Sequence, residues 1–288
     1  MQPVTTLPPL ATRPTQAHKG TFGRVWIVAG SRGMSGAAAL AGLGALRGGA
    51  GLVTVAVPSQ LQSLVAGYEP SYLTFGLPDD ECGRLTLAAL PLLLEQLQTQ
   101  TASAYGPGLG RSHDLDELAV QLYLTVEQPM VFDADGLNAL AARRALWQTM
   151  KPPAPRILTP HPGEFQRLTG LSMQEIATHR VELAVKYAHA WQVTLVLKGA
   201  GSVITDGVRY AINPTGNPGM ATGGTGDVLT GVIVALLAQG VEPFAAAQWG
   251  AYLHGLAGDL AARELSQPGL IASDVVRYLP SAWLQATS

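Results

Sequence analysis

The residues best suited to chemistry lie where a glycine-rich stretch meets a helix. In GNPGMATGGTGDVLTGVIVALLAQG, residues 216–240, five of the first twelve residues are glycine and an apolar helical pattern follows Asp227. Glycines before a helix let successive backbone N–H groups face one point, where the helix dipole favours an anion. A carboxylate at that point is a candidate base beside a transferred phosphoryl group. The alternative is that Asp227 only caps the helix and the glycines form a turn.

Two further segments place polar side chains directly after an apolar run. In VFDADGLNAL, Asp133 and Asp135 leave a strand two residues apart, so we expect them to point the same way, with Asn138 one turn later. These carboxylates could bind substrate hydroxyls or water on Mg²⁺, or be one helix cap and one solvated charge. In TPHPGEF, two prolines hold His161 and Glu164 in a fixed loop, where His161 is either a substrate hydrogen-bonding group or a packed loop histidine.

The segment KGAGS places Lys198 at another strand end, followed by glycines that allow close backbone approach and by the hydroxyl of Ser202. A nucleotide phosphate or ribose would fit there, whereas a lone lysine is usually a solvated charge. GPGLG (106–110) offers a further close approach or a simple turn. Neither GGTGDV nor AGSRGMSG has the Lys-Ser or Lys-Thr of a Walker A loop, and AGSRGMSG is a weak dinucleotide fingerprint.

The pattern of the elements that must position these residues predicts an α/β domain. Short apolar runs alternate with helical sequence, which predicts a mostly parallel sheet covered by helices on both faces, with ligands beyond the carboxyl ends of the strands. Asp206-Gly207 predicts a hairpin. One helix is predicted from about residue 228 with a single apolar face, and another from Phe244 to about Leu265. The apolar face of the first helix comprises Val228, Leu229, Val232, Ile233, Leu236 and Leu237, and the inward residues of the second are Trp249, Leu253, Leu256 and Leu260.

Composition and charge limit the function classes. The 288 residues are 47% hydrophobic and 13% charged, with a formal net charge of −2. No basic stripe is available for nucleic acid, no segment is long and apolar enough to span a membrane, and the single cysteine, Cys82, has no partner. The start has no secretory signal, so we predict a cytoplasmic protein, and the low charge favours a homo-oligomer such as a tetramer. Residues 1–20, with four prolines, are predicted to be an extended arm or linker remnant before one domain over residues 21–288.

Through these motifs and their order along the sequence, the chain resembles the NAD(P)H-hydrate dehydratase family, which has the ribokinase-like fold. The resemblance covers nearly everything from His18 onward and is carried by GAAALAGLGALRGGAGLVTV, GPGLG, FDADGLNAL, ILTPHPGEF, VLKGAGS and GNPGMATGGTGDVLTG in the family's order. It implies a three-layer ribokinase-like domain. The family often carries a preceding epimerase domain, for which this chain has no room. The resemblance therefore implies either a stand-alone protein or an excised domain, with a separate or a fused NAD(P)H-hydrate epimerase as its partner.

The resemblance also implies a reaction, in which (6S)-NADHX and (6S)-NADPHX are dehydrated to NADH and NADPH with ADP as phosphoryl donor, or ATP in its place, and Mg²⁺ as cofactor. Phosphorylation of the C6 hydroxyl turns a poor leaving group into a good one, and AMP and phosphate are released. Asp227 would be the base, with the backbone of Gly224, Thr225 and Gly226 holding the developing charge. The remaining implied residues are Ala37, Ala38, Gly108, Asn138 and His161 for the hydrate, Lys198, Gly199, Ala200, Gly201, Ser202, Asn217, Met220 and Gly226 for the nucleotide, and Asp133 and Glu164 for the metal, directly or through water.

Two other functions remain compatible with these residues. A small-alcohol kinase of the same fold, such as a hydroxyethylthiazole kinase, would use the same anion site but release the phosphorylated alcohol as its product. A nucleotide-binding sensor would keep the fold without turnover. A sensor is expected to have a damaged glycine loop, whereas GGTGD is intact here.

Overall fold

The apolar runs of the sequence form the strands of one sheet in a computed structural model that describes residues 1–287. The strands are β1 (Gln2–Pro3), β2 (Arg24–Val28), β3 (Leu52–Pro58), β4 (Leu73–Leu77), β5 (Ala102–Tyr105), β6 (Met130–Phe132), β7 (Arg156–Leu158), β8 (Thr194–Leu197), β9 (Val203–Thr205) and β10 (Arg209–Ile212). The helices are α1 (Ser35–Arg47), α2 (Gln62–Ala66), α3 (Leu90–Leu97), α4 (His113–Thr125), α5 (Asp135–Ala142), α6 (Arg144–Trp147), α7 (Pro162–Thr169), α8 (Met173–Thr178), α9 (Arg180–Trp191), α10 (Thr225–Ala238), α11 (Pro243–Leu265) and α12 (Ala272–Thr287).

The sheet is mostly parallel, as predicted. Its order is β1-β10-β9-β8-β7-β6-β5-β2-β3-β4, and among the described strands only β9 runs against its neighbours. The carboxyl ends of β5, β6, β7 and β8 therefore meet at one edge, which we call the carboxyl edge. The loop after β8 departs from the predicted layout, because the chain enters the β9–β10 hairpin there and not a helix.

Side-chain alternation along the strands separates two hydrophobic cores. In β2, Val25 and Ile27 face a core shared with α1, α10, α11 and α12. Trp26 and Val28 face the opposite core, to which helices α3 to α9 contribute. Because helices cover both faces of the sheet, its central strands β5, β6 and β8 are buried at every residue. The predicted three-layer α/β architecture is confirmed.

Helix α10 is more deeply buried than its sequence pattern predicts. All eleven residues from Val228 to Ala238 are buried, so the single apolar face expected for this helix was too narrow. The reason is that α10 contacts the sheet on one side and α1, α11 and α12 on others. Glycines make the close crossing with α1 possible, since a Cβ on Gly44 would lie 2.4 Å from the carbonyl oxygen of Val228 and one on Gly231 2.1 Å from that of Ala41.

The predicted hairpin and the predicted second helix are both present. Asp206 organises the β9–β10 turn by accepting hydrogen bonds from the backbone N–H groups of Val208 (3.0 Å) and Arg209 (2.9 Å). Helix α11 buries Trp249, Leu253 and Leu256, with Leu260 partly buried in the same core. No helix between residues 1 and 287 combines the length and apolar character that crossing a membrane requires.

The proline-rich arm is extended and lies against the domain. Gln2–Pro3 pair in parallel with Arg209–Tyr210 at the edge of the sheet. The carbonyl oxygens of Thr6 and Pro8 accept hydrogen bonds from the side chains of Gln248 (3.0 Å) and Trp249 (2.8 Å) in α11. The division of the chain at residue 20 stays a prediction, although the arm adds a short strand to the sheet.

Candidate active site

The start of α10 has the form that the glycine-rich sequence predicts. Gly224 precedes the helix with a left-handed backbone (φ 91°), which favours glycine, and a Cβ there would also displace the Leu40 side chain, whose Cδ1 would be 2.5 Å away. The Thr225 hydroxyl donates towards the carbonyl oxygens of Met220 and Thr222, 3.1 Å from each, and thereby closes the loop. Thr225 and Gly226 therefore offer a ligand their backbone N–H groups, which have no partner within the helix at its first turn.

Asp227 lies in this first turn with its carboxylate unengaged. It makes no hydrogen bond or ion pair within the described part of the chain. The pKa of Asp227 is raised to about 7, first by burial and then by the negative charge of Asp133, against the opposing positive charge of Lys198. A carboxylate that is half protonated near neutral pH and has no partner is suited to accept a proton.

An ion pair between Lys198 and Asp133 lies next to the first turn of α10. Lys198 Nζ is 2.6 Å from Asp133 Oδ1, and the Thr230 hydroxyl donates to Asp133 Oδ2 at 2.7 Å. Asp133 is 1% exposed, so both of its oxygens are engaged and shielded from water. Gly226 passes close above the pair, because a Cβ there would be 3.4 Å from Lys198 Nζ. Asp133 thus fixes the Lys198 ammonium group next to the start of α10.

Asp133 and Asp135 do not point the same way, contrary to the alternation expected for a continuing strand. The residue between them, Ala134, has a positive φ of 49°, which ends the strand geometry after Asp133. Asp135 turns away and accepts a hydrogen bond from the backbone N–H of Gly110 (2.8 Å) and from the Asn138 amide (3.2 Å). Of these two aspartates, Asp133 is the one paired with Lys198.

His161 and Glu164 form a reciprocal cap at the start of α7. His161 Nδ1 accepts from the N–H groups of Gly163 (3.0 Å) and Glu164 (3.4 Å), while Glu164 Oε2 accepts from the His161 N–H (2.8 Å). Because Nδ1 is an acceptor, the proton of the neutral ring is assigned to Nε2. Burial lowers the pKa of His161, followed by the positive charge of Lys198, so the imidazole is neutral, and its donor nitrogen Nε2 lies 3.3 Å from Glu164 Oε1.

The carboxylates predicted to hold a metal have other partners. Burial raises the pKa of Glu164 to about 7, with its Oε2 3.8 Å from Lys198 Nζ, and Asp133 is fully hydrogen-bonded. Within residues 1–287, no group of three or more His, Cys, Asp or Glu side chains is arranged to hold a metal ion. Direct ligation by Asp133 and Glu164 does not fit this geometry.

The predicted nucleotide residues after β8 form a tight exposed loop. Gly199 and Gly201 both have positive φ, 146° and 63°. Arg180, which the sequence did not indicate, holds the loop by donating to the carbonyl oxygen of Ala200 at 2.8 Å. The Ser202 hydroxyl donates to the Gly199 carbonyl oxygen at 3.1 Å, so towards a ligand it remains an acceptor.

Asn217 and Met220 lie in a second loop, residues 213–220, whose conformation depends on α11. Both ends of the Asn217 amide are used, because Oδ1 accepts from the Gly219 N–H (3.0 Å) and Nδ2 donates to Asp259 Oδ1 (2.9 Å). Asp259 Oδ2 also accepts from the Gly216 N–H at 2.9 Å. Asn217 therefore shapes the loop, and its amide is not free in this structure.

The predicted hydrate side is formed by Ala37 and Gly108. A Cβ on Gly108, whose φ is 61°, would lie 2.7 Å from Ala37 Cβ, so the two backbones approach closely. Ser31 donates its hydroxyl to the Gly108 carbonyl oxygen at 2.8 Å and holds that approach. Ala38 is fully buried in the core, so this predicted substrate residue offers a ligand no accessible surface in this structure.

Sequence reasoning also missed a histidine behind the glycine loop. His254 in α11 is 2.8 Å from the Thr225 carbonyl oxygen through Nε2, which must therefore be the donor. Burial lowers the pKa of His254 to about 4, so the ring stays neutral. With Thr230, Arg180 and Asp259, it belongs to a set of residues that hold the site from behind.

Comparison with known proteins places this arrangement in a family. The family model for NAD(P)H-hydrate dehydratase matches residues 25–281. A bifunctional NAD(P)H-hydrate repair enzyme Nnr from Moorella thermoacetica is 48% identical over 273 residues, which are 94% of this chain and 51% of that protein. The chain thus spans about half the length of such bifunctional relatives. The ADP-dependent (S)-NAD(P)H-hydrate dehydratase of Bacillus subtilis is 37% identical over 278 residues, 95% of this chain and 94% of that protein.

Solved structures agree with the sequence relatives. The crystal structure of the ADP/ATP-dependent NAD(P)H-hydrate dehydratase from B. subtilis, co-crystallized with ATP/Mg²⁺, superposes with a TM-score of 0.80 and 33% identity, covering 96% of this chain and 94% of that one. A ribokinase from Thermotoga maritima superposes with a TM-score of 0.52 at 15% identity, covering 89% of this chain and 99% of that one, which shows a shared fold alone. The chain has the ribokinase-like fold and belongs to the NAD(P)H-hydrate dehydratase family.

Proposed function

We propose that this protein is an ADP-dependent hydro-lyase that converts (6S)-NADHX and (6S)-NADPHX back to NADH and NADPH. The observation that carries the proposal is the carboxylate of Asp227, which is unpartnered within residues 1–287 and has a pKa near 7 at the positive end of α10. Family membership and the names of its relatives support this choice of substrate and donor.

The proposed reaction begins with phosphoryl transfer. Asp227 accepts the proton of the C6 hydroxyl as that oxygen attacks the terminal phosphorus of ADP, and AMP departs. The N–H groups at Gly224 to Gly226 stabilise the charge on the transferred phosphoryl group. The ring nitrogen then expels phosphate from C6, and loss of a C5 proton restores the dihydropyridine.

The surrounding residues supply positioning. Lys198, held by Asp133 beneath Gly226, would balance the negative charge of the phosphates. Residues 199–202 and 217–220 would bind the rest of the nucleotide, while Ala37, Gly108, Asn138 and the Nε2–H of His161 would contact the hydrate. Mg²⁺, when bound, neutralises phosphate charge, and Asp133 and Glu164 would reach it only through water.

Several broader assignments stay proposals. We infer that the hydrate epimers are interconverted by an epimerase, because the bifunctional relatives are named repair enzymes of about twice this length. ATP is a candidate alternative donor, since the related B. subtilis enzyme is named ADP/ATP-dependent. A cytoplasmic location and a homo-oligomeric state, such as a tetramer, remain predictions from the sequence.

The proposed function is tested by incubating the protein with ADP, Mg²⁺ and hydrated NADH. We expect the dihydropyridine absorbance to return, with one AMP and one phosphate released per turnover. In D227N the rate is expected to fall about 10²–10⁴-fold, because the hydroxyl proton has no acceptor, while ADP still binds. The matched variant D114N makes the same change in the first turn of α4 and should keep full activity.

Two outcomes would contradict this proposal. A stable phosphorylated product without return of the absorbance would instead identify a small-alcohol kinase. Turnover by D227N at the wild-type rate would show that another group is the base.

A further inference from the structure

Arg167, on α7, is a charged side chain that the proposed reaction leaves unused and that contacts the residues after β6. Its Nε donates to Asn138 Oδ1 at 2.7 Å, and Asn138 in turn donates to Asp135 Oδ1 at 3.2 Å. Asp135 is itself held by the Gly110 N–H at 2.8 Å. This chain of hydrogen bonds fixes one edge of the guanidinium relative to the loops after β5 and β6.

The other edge of this guanidinium has no protein partner. Within residues 1–287, the two terminal nitrogens of Arg167 make no hydrogen bond or ion pair, and the side chain is exposed. Several other arginines are engaged with acidic side chains, since Arg84 is paired with Asp80 at 2.8 Å and Arg209 with Asp206 at 2.6 Å. Arg180 is bound to backbone carbonyl oxygens at 2.8–3.5 Å. An arginine that is oriented by one hydrogen bond and otherwise unpaired is prepared for an external anion.

The position of Arg167 connects it with the hydrate side of the site. A Cβ built on Gly163 would lie 3.8 Å from Arg167 Nη1 and 3.0 Å from His161 Cε1, so the guanidinium and the imidazole flank this glycine. Asn138 contacts the Nε edge of the same guanidinium. Arg167 thus adjoins two residues proposed to contact the hydrated ring, His161 and Asn138, whereas the proposed nucleotide residues are held by Arg180 and Asp259.

We propose that Arg167 binds a phosphate group of the dinucleotide substrate, with its two terminal nitrogens donating to phosphate oxygens. This inference rests on the proposed function, because NADHX and NADPHX carry a diphosphate next to the nicotinamide ribose. A planar guanidinium whose Nε is occupied by Asn138 still presents two N–H groups side by side, which matches two oxygens of one phosphate. Arg167 is accordingly a specificity residue that selects dinucleotide hydrates over hydrates lacking phosphate.

The test measures binding of the reduced products, which keep the same phosphates and need no turnover. Fluorescence titrations of wild type and R167Q would use NADH, NADPH and reduced nicotinamide riboside, which has no phosphate. We expect R167Q to weaken NADH and NADPH binding about tenfold or more and to leave riboside binding within about twofold. R167K keeps the charge but loses the paired donors, so its affinity for NADH and NADPH should lie between those of wild type and R167Q.

A matched control and an ADP titration separate the explanations. R24Q removes an exposed arginine at the first residue of β2, at the opposite edge of the sheet, and should bind all three ligands as wild type does. ADP affinity should be unchanged in R167Q. A loss of affinity in R167Q for NADPH alone would also support the proposal and would assign Arg167 to the 2′-phosphate.

Three results would overturn the proposal: unchanged NADH and NADPH binding in R167Q, an equal loss for the riboside, or an equal loss for ADP. An equal riboside loss would mean that Arg167 acts by holding Asn138. Failure of the proposed function is distinguishable, because it would appear as absence of hydrate turnover in wild type, whatever R167Q binds.

Discussion

At the scale of single residues, the protonation state of Asp227 is expected to control the rate. Burial raises its pKa to about 7, and the negative charge of Asp133 is the next contribution. Only the ionised carboxylate accepts a proton, so kcat/KM should rise about tenfold per pH unit below pH 7 and level off above it. The measurement is a pH profile of hydrate turnover at fixed ionic strength.

Glu164 provides the control for this assignment, because its pKa is also raised to about 7. The negative charge of Glu164 contributes to the raised pKa of Asp227. E164Q should therefore keep the acidic limb and move it to lower pH. Disappearance of the limb in E164Q would assign it to Glu164 and contradict the role of Asp227.

At the scale of elements, the loop of residues 213–220 depends on α11 for its shape. Asp259 accepts from Gly216 N–H and from the Asn217 amide, both at 2.9 Å. D259A leaves both donors without this partner and frees the loop, so we expect ADP affinity to fall about tenfold, since two hydrogen bonds to a charged group are lost, with kcat changed less than threefold. Calorimetric titration with ADP measures the first effect and steady-state kinetics the second.

The control for D259A is D206A, which removes another aspartate that organises a loop through two backbone N–H groups. D206A should lower the free energy of unfolding without changing ADP affinity, because the β9–β10 turn contains none of the proposed nucleotide residues. Equal ADP affinity in D259A and wild type would show that this loop does not bind the nucleotide.

The same elements show how far sequence could predict the site. The glycine start of α10 and the polar residues after β6, β7 and β8 were predictable, because carboxyl ends of parallel strands meet at one edge. The partner of Lys198 was not, since the Asp133 ion pair spans 65 positions of sequence. His254 and Arg180 were not predicted for a related reason, because their hydrogen bonds to backbone carbonyl oxygens carry no sequence signature.

At the scale of the whole molecule, α10 joins the site to the core. Its first turn carries Asp227, and the following eleven residues are all buried among the sheet, α1, α11 and α12. A displacement of the anion site would therefore disturb the core on that face of the sheet. The contacts of α10 with the sheet, α1, α11 and α12 explain how the glycines at its start can hold their N–H groups in a fixed arrangement.

The arm of residues 1–14 contributes to stability on this same face without reaching the site. Val4, Leu7 and Leu10 pack against the core that contains α10 and α11, and Trp249 Nε1 donates to the Pro8 carbonyl oxygen. A variant beginning at Thr15 should lose about 2–4 kcal/mol of unfolding free energy, from apolar burial and a few hydrogen bonds. Its kcat should stay within about twofold of wild type. Urea unfolding measures the first quantity, and an unchanged midpoint would show that these residues are only a linker.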